Sequence, residues 1–130
     1  MHLQTPPELL AICRLGPNEP VPHWAMSGEF WSVTRTYSEL SIVCPQKNLP
    51  QEIAAERNWR VLKVIGPLPF DMVGVLSSLT APLAEAGISV FALATYDTDY
   101  LLIRTDGFEA ACQALVKAGH IIDTWSTPSE

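Results

Sequence analysis

The residues best suited to hold a small ligand lie between positions 66 and 100. A proline-bearing loop leads into an apolar segment that predicts a helix beginning at Asp71 or Met72 and closed by Gly87. The first amides of a helix have no acceptor within it, so they suit a carboxylate. A strand follows and is predicted to end in an acidic turn at residues 96–100. An anion-accepting helix start and an acidic turn together suit a zwitterion.

The elements that would position these residues form a recurring pattern. Residues 59–124 predict strand, helix, strand, strand, helix and strand, which is the split βαβ arrangement with an antiparallel sheet. The first helix should bury one stripe, although Pro82 interrupts its hydrogen bonding. Asp106 is predicted to cap the second helix and Gly119 to end it, and the chain from Ser126 is expected to fray. The stripe consists of Val73, Leu76, Leu79 and Leu83.

The first half of the chain is a less regular version of the same pattern. Strands are predicted at 8–15, 29–35 and 39–44, and a proline-rich stretch at 16–28 leaves room for a single turn around His23. Asn48 is predicted to cap a short helix with Leu49, Ile53 and Arg57 on one side. His2 is expected to be disordered. The turns at 36–40 and 95–100 align with one inserted residue, which indicates two related halves.

Segments of the second half resemble a known family. FDMVG, PLAEAGISVFALATYDTDYLLI and the closing helix before Gly119 are similar to an ACT domain, of the tandem variety found in the cytosolic arginine sensor of animals and related to aspartokinase regulatory domains. The resemblance covers 59–123 and weakens before it. It implies an α+β fold of two ferredoxin-like βαββαβ units, each an antiparallel sheet with helices on one face. Residues 1–58 would be a degenerate unit and 59–130 the ACT domain, and strand 59–65 can serve both.

The resemblance also implies a function. ACT domains of this kind bind amino acids at domain interfaces and regulate another protein without catalysis or a cofactor. The expected ligand is a small amino acid held between the helix start and the turn at 95–99, in a chain that forms a homodimer. The implied contacts are Met72, Val73, Gly74, Thr95, Tyr96, Thr98 and Asp99, with Thr36, Ser38 and Glu39 from the matching turn of the first half.

Several of these residues also have a purely structural interpretation. Asp97 and Asp99 are common turn residues because their side chains bond to the nearby backbone. Gly74 either leaves room for a ligand carboxylate or packs closely against a strand. Asp71 is more consistent with a helix cap than with a ligand contact. Glu39 is either a solvated turn acid or an acceptor for a cation.

Composition excludes several other classes of function. The formal net charge of −6 divides into −2 over residues 1–58, with four basic and six acidic side chains, and −4 over 59–130, with four basic and eight acidic ones. Both halves would repel nucleic acid. Three dispersed cysteines without a C-x-x-C pair indicate neither disulfides nor zinc, and His23 and His120 have no metal-ligand spacing. Without a run of about 18 apolar residues, we expect a cytoplasmic protein with no membrane contact.

Three functions remain for the chain at this stage. The first is an amino-acid-binding regulatory module, and the second is a structural homodimerisation or protein-interaction module without a ligand. The third is a small enzyme of the acylphosphatase kind, which would need an arginine-bearing phosphate loop after the first strand. Residues 16–28 contain no arginine, so the enzyme is disfavoured.

Overall fold

The structure, a computed structural model, describes residues 1–124. The tail from Ser126, expected to fray, lies outside the described residues. By its internal packing the chain forms two units, one of residues Glu8–Trp59 and one of Met1–Pro7 with the residues from Arg60 onward. None of the helices within residues 1–124 is long and apolar enough to span a bilayer. The strands are β1 (His2–Thr5), β2 (Leu10–Leu15), β3 (Ser32–Arg35), β4 (Leu40–Pro45), β5 (Ala55–Val64), β6 (Phe91–Ala94), β7 (Asp99–Arg104) and β8 (Ile121–Thr124), and the helices are α1 (Val75–Glu85) and α2 (Thr105–Lys117).

The Glu8–Trp59 unit is a sheet without α-helices. Its strands pair in the order β3, β4, β2 and the first part of β5, and the predicted hairpin forms with Arg35 opposite Leu40. A 3₁₀ turn occupies His23–Met26, as the proline-rich stretch predicts. The buried core of this unit contains Ala11, Cys13, Ala25, Leu40, Ile42, Cys44 and Leu49.

The short helix predicted after Asn48 is wrong. Only a 3₁₀ turn forms there, at Gln46–Asn48, and β5 begins at Ala55. Pro50 supplies no amide hydrogen, so a helix capped at Asn48 would lack a donor in its first turn. Arg57 lies in β5, and its guanidinium donates to the carbonyls of Pro50 (3.2 Å) and Ile53 (2.9 Å), which holds the irregular segment in place.

The second unit has the predicted βαββαβ order of β5, α1, β6, β7, α2 and β8. Its strands pair in the order β6, β7, β5, β1, β8. Strand β1 was not predicted, and the expectation that His2 is disordered is wrong. Leu3 pairs with Val64 of β5 on one side and with Ile122 of β8 on the other, and the His2 ring contacts the Asp123 carboxylate. Apolar residues at alternate positions of so short a segment gave too little periodicity to predict a strand.

Both helices cover the same core. Val75, Leu79 and Leu83 of α1 are buried, so the predicted stripe is shifted. Val73 is 90% exposed and precedes the helix, and Leu76 is 40% exposed. The core consists of Leu3, Leu62, Val64, Val75, Leu79, Leu83, Leu101, Ile103, Ala111 and Leu115.

The second helix starts and ends by different means. It begins directly after β7 with Arg104 as the capping residue and no side-chain cap, so the prediction that Asp106 caps it is wrong. Asp106 lies in the first turn, where its charge still suits the helix dipole. Gly119 has φ +99°, as predicted for a helix end. His120 N then donates to Leu115 O at 3.0 Å, which closes the helix.

Pro82 stays inside α1, and His120 compensates for the hydrogen bond that it removes. The missing amide of Pro82 would have bonded to the carbonyl of Ser78. His120 Nε2 lies 2.9 Å from that carbonyl oxygen and donates to it, and His120 Nδ1 lies 2.8 Å from the Met1 nitrogen. His120, which has no metal-ligand spacing in the sequence, therefore has a structural role through its bond to the Ser78 carbonyl.

Candidate functional site

The loop between β5 and α1 enters the helix later than the sequence predicts. Gly74 is the residue before the helix and has φ +79° and ψ 3°, while the first helical residue is Val75. A helix beginning at Asp71 or Met72 is therefore wrong, because Gly74 would interrupt it with a left-handed conformation. Asp71 is not the cap, since no side chain caps α1.

This later start changes which amides are available to an anion. Met72 N donates to Pro69 O at 3.1 Å, and the first bond of the helix runs from Ser78 N to Gly74 O at 3.0 Å. The amides of residues 75–77 therefore have no carbonyl acceptor within α1. They carry the partial positive charge of the helix start. The anion-accepting position thus lies one turn beyond Met72.

Gly74 has a conformational reason to be glycine. A Cβ built on Gly74 would meet only Ser77 Oγ, at 4.0 Å, so the alternative of close packing against a strand is wrong. Its positive φ is the conformation that side-chain-bearing residues rarely adopt. The open space beside it leaves the helix start accessible.

The turn between β6 and β7 is held mainly by its own threonines. Thr95 N donates to Thr98 O at 2.8 Å, and the Thr95 hydroxyl lies 3.1 Å from the same oxygen. Thr98 is 4% exposed, and its hydroxyl donates to Val64 O at 2.6 Å. Both hydroxyls therefore have structural partners. Asp99 is half-buried at the start of β7, opposite Ala94.

The loop and the turn meet within this unit. Leu68 N donates to Asp97 O at 2.7 Å. A Cβ on Gly66 would lie 3.0 Å from the Asp97 oxygen and 3.3 Å from Thr98 Cβ, so the two segments are in van der Waals contact. The Leu68 bond joins the loop before α1 to the acidic turn.

An exposed aromatic pair spans the loop and the turn. The rings of Phe70 and Tyr96 are 4.6 Å apart with an interplanar angle of 74°, an edge-to-face contact. Phe70 is 75% exposed and Tyr96 is 79% exposed. Contiguous exposed apolar side chains mark ligand or partner sites in soluble proteins. Phe70 is not among the contacts predicted from the sequence, although its position between Pro69 and the helix start was a usable signal.

The predicted contacts from the first half lie in the other unit. Thr36 N donates to Glu39 O at 2.9 Å, and the Thr36 hydroxyl accepts from the amides of Ser38 and Glu39 at 3.2 Å. Arg14 donates to Ser38 O at 2.6 Å. These contacts account for the turn as a folded element of its own unit.

The two turns correspond residue for residue. Each begins with a threonine whose amide donates to the carbonyl three residues later. In both hairpins the strand residues that flank the turn are paired and lie five positions apart, Arg35 with Leu40 and Ala94 with Asp99. The inserted residue in the predicted alignment is therefore wrong, and Glu39 corresponds to Thr98 rather than to Asp99. Tyr37 and Tyr96 occupy the same position, and both are exposed.

Burial makes the three cysteine thiols and the Tyr100 phenol harder to ionise than usual. Burial raises the pKa of the Cys13 and Cys112 thiols and raises that of Cys44 to about 11. Burial, and then the charge of Asp97, raise the pKa of Tyr100. Over residues 1–124 no three His, Cys, Asp or Glu side chains are grouped as a metal site.

A groove of about 500 Å³ lies in the second unit, between the last turns of α1 and α2. It contains none of the residues predicted to bind a ligand. Its walls are Pro82, Glu85, Ala86, Ala114, Lys117 and Ala118.

This fold and this loop-and-turn arrangement define a class, the ferredoxin-like α+β domains with two helices on one face of a sheet. The model of the ACT domain family matches residues 54–117, and a second model, described as an N-terminal domain, matches residues 8–52. Residues 54–117 of the chain therefore form an ACT domain.

Similar proteins include a curated sensor and solved structures that share the fold. It is 31% identical over 75 residues to the human cytosolic arginine sensor for mTORC1 subunit 1, which covers 54% of this chain and 23% of that protein. The chain thus spans about a quarter of the length of these curated relatives. A crystal structure of an Agrobacterium tumefaciens protein has 36% identity, a TM-score of 0.91, and coverage of 97% of this chain and 94% of that one. The regulatory subunit of aspartate kinase from Thermus thermophilus shares the fold at 15% identity, with a TM-score of 0.59 and coverage of 86% and 93%.

Proposed function

We propose that this chain is a non-catalytic regulatory module that binds a free amino acid between the start of α1 and the turn at residues 95–99. The ACT domain at residues 54–117 supports a regulatory role. The similar curated protein is named an arginine sensor, and a structure with the same fold is named a regulatory subunit of aspartate kinase. The observation that carries the proposal is the Leu68 to Asp97 bond of 2.7 Å, which holds the helix-start loop against the acidic turn.

The two ends of the ligand would bind to opposite charges. The carboxylate accepts hydrogen bonds from the amides of residues 75–77, beside the open space at Gly74. The ammonium pairs with Asp99, whose half-buried position strengthens a charge-assisted bond. Residues 64–103 contain no Lys, Arg or His to compete for that carboxylate.

The other predicted residues would form the walls of the site. Met72 and Val73 flank the helix start, and Tyr96 flanks the turn. In this proposal the hydroxyls of Thr95 and Thr98 shape the turn rather than contact the ligand, since each already has a partner. Thr36, Ser38 and Glu39 belong to the other unit, and their contact with a ligand stays a prediction.

The proposal of a module without catalysis rests on the side-chain chemistry. Burial suppresses the thiolate form of the cysteines, which is the nucleophilic form. The proposal includes a cytoplasmic homodimer, in line with a relative named as cytosolic. In this proposal the amino acid changes the affinity of the chain for a second protein.

A structural dimerisation module without a ligand is the alternative function. The exposed side chains of Phe70, Val73 and Tyr96 favour it, because apolar surface of this kind also occurs at protein interfaces. Under this alternative the surface is covered by another chain, and no amino acid stabilises the protein.

A thermal-shift titration with the twenty amino acids separates the two functions. A ligand at one hundred times its dissociation constant stabilises the native state by about 2.7 kcal/mol. Ser77→Glu places a carboxylate in the third helical position, where it bonds to the helix start and competes with the ligand. We expect Ser77→Glu to keep the apo stability and to lose most of the ligand response, while Ser77→Gln keeps more of it.

A charge-neutral variant tests the other end of the site. Asp99→Asn should weaken ligand binding by at least tenfold because it removes the partner of the ammonium. Asp106→Asn, in the first turn of α2, is the matched control and should bind normally. No stabilisation by any amino acid at millimolar concentration refutes the proposed function and favours the structural alternative.

A further inference from the structure

The side-chain part of the candidate site is apolar. Five apolar side chains around the helix start and the turn are at least 40% exposed. They belong to the two segments whose amides and carboxylate the proposed function assigns to the ligand backbone. The five are Phe70 (75%), Met72 (48%), Val73 (90%), Leu76 (40%) and Tyr96 (79%).

The aromatic pair is held in place by contacts within the protein. Phe70 and Tyr96 contact each other edge to face at 4.6 Å. The bond from Leu68 N to Asp97 O fixes the backbone beside both rings. A large apolar group placed against them would remove ring surface from water without having to order the rings first. A methyl group or a hydrogen would cover little of that surface.

The charges nearby disfavour an acidic side chain. Asp71, Asp97 and Asp99 are the charged residues in the loop and turn, and no base accompanies them. An aspartate or glutamate ligand would bring a second carboxylate next to these acids. Asp71 and Asp97 are exposed, so water screens them and a cationic side chain gains little from them.

We infer, resting on the proposed function, that the site selects amino acids with large apolar side chains, branched aliphatic or aromatic, and that Phe70 and Tyr96 determine this specificity. The sequence had led us to expect a small amino acid. The ligand side chain covers the two rings, while its backbone groups bind the start of α1 and Asp99. Leucine and phenylalanine represent the preferred class.

Calorimetric titration of the full chain with six amino acids tests this selectivity. Leucine and phenylalanine should bind at least tenfold more tightly than alanine, serine, aspartate and arginine. The double variant Phe70→Ala/Tyr96→Ala should bring leucine and phenylalanine to within threefold of alanine. Because both side chains are largely exposed, the variant should fold with an unchanged melting temperature.

Tyr37→Ala is the matched control, since Tyr37 is a fully exposed aromatic at the corresponding turn position. It should leave the selectivity unchanged. Tighter binding of aspartate or arginine than of leucine, or a double variant with unaltered selectivity, overturns this inference and leaves the proposed function intact. Absence of binding by leucine and phenylalanine overturns the inference, and absence of binding by all twenty amino acids overturns the proposed function as well.

Discussion

The Thr98 hydroxyl provides a sharp test of how the turn is built. Thr98 is 4% exposed, and its Oγ1 donates to the buried carbonyl of Val64 at 2.6 Å. Thr98→Val keeps the shape and volume of the side chain but removes the donor. A buried acceptor left without its partner costs about 1–3 kcal/mol. We therefore expect Thr98→Val to lower the free energy of unfolding by that amount.

Urea denaturation followed by circular dichroism measures this loss, and Thr98→Ser is the matched control. Serine keeps the hydroxyl and removes a methyl group, so it should lose about 1 kcal/mol or less. At about 3–5 °C per kcal/mol, the valine variant should also melt several degrees below the wild type. If Thr98→Val is as stable as Thr98→Ser but has lost ligand binding, the hydroxyl contacts the ligand and our account of the turn is wrong.

Three further predictions concern Gly74, Cys44 and His120. Gly74→Ala should lower the free energy of unfolding by about 1–2 kcal/mol because φ is +79°, whereas Gly74→Asn should lose less, by thermal or urea denaturation. Between pH 9 and 11 the free energy of unfolding should fall by up to about 1.4 kcal/mol per pH unit, because the Cys44 thiol ionises near pH 9 in the unfolded chain and near 11 in the folded one. Cys44→Ala should flatten this slope. An unchanged slope in that variant would show that the Cys44 thiol is not its cause. His120→Leu removes the hydrogen bond to Ser78 O and should lower the free energy of unfolding by about 1 kcal/mol, measured by urea denaturation. The loss should be smaller in a Pro82→Ala background, where the restored amide bonds to Ser78 O. Equal losses in both backgrounds would disprove the compensation.

The order of elements in the second unit could be predicted because its signals are local. Apolar periodicity identified α1 and α2, and Gly119 marked a helix end that the structure confirms. The family resemblance added the fold, which the comparisons bear out. Helix periodicity and helix ends depend on residues close together in the chain, so they can be predicted from a single sequence.

The errors lie where distant residues decide the structure. Strand β1 forms because Leu3 pairs with both Val64 and Ile122, and such pairing leaves little trace in a four-residue segment. Helix α1 begins at Val75, later than predicted, because Gly74 adopts a left-handed conformation. A glycine permits this conformation, but its presence in a sequence does not predict it. Composition alone could not place the segment after Asn48, where Arg57 donates to backbone carbonyls instead of extending a helix.

The candidate site was predicted in outline but not in its contacts. Its two segments follow from the resemblance, and the Leu68 to Asp97 bond joins them. The structural use of the Thr95 and Thr98 hydroxyls depends on backbone geometry around Val64, which no sequence pattern encodes. The exposure of Phe70 likewise depends on the path of the loop.

Backbone amide chemical shifts, recorded during titration with leucine, test the central claim most directly. If a ligand carboxylate binds at the start of α1, the amides of Val75, Leu76 and Ser77 should show the largest changes, together with that of Asp99. These changes should saturate at one common dissociation constant and be absent in Ser77→Glu. Saturable changes confined to the groove between α1 and α2, or no changes at any amide, would contradict the claim.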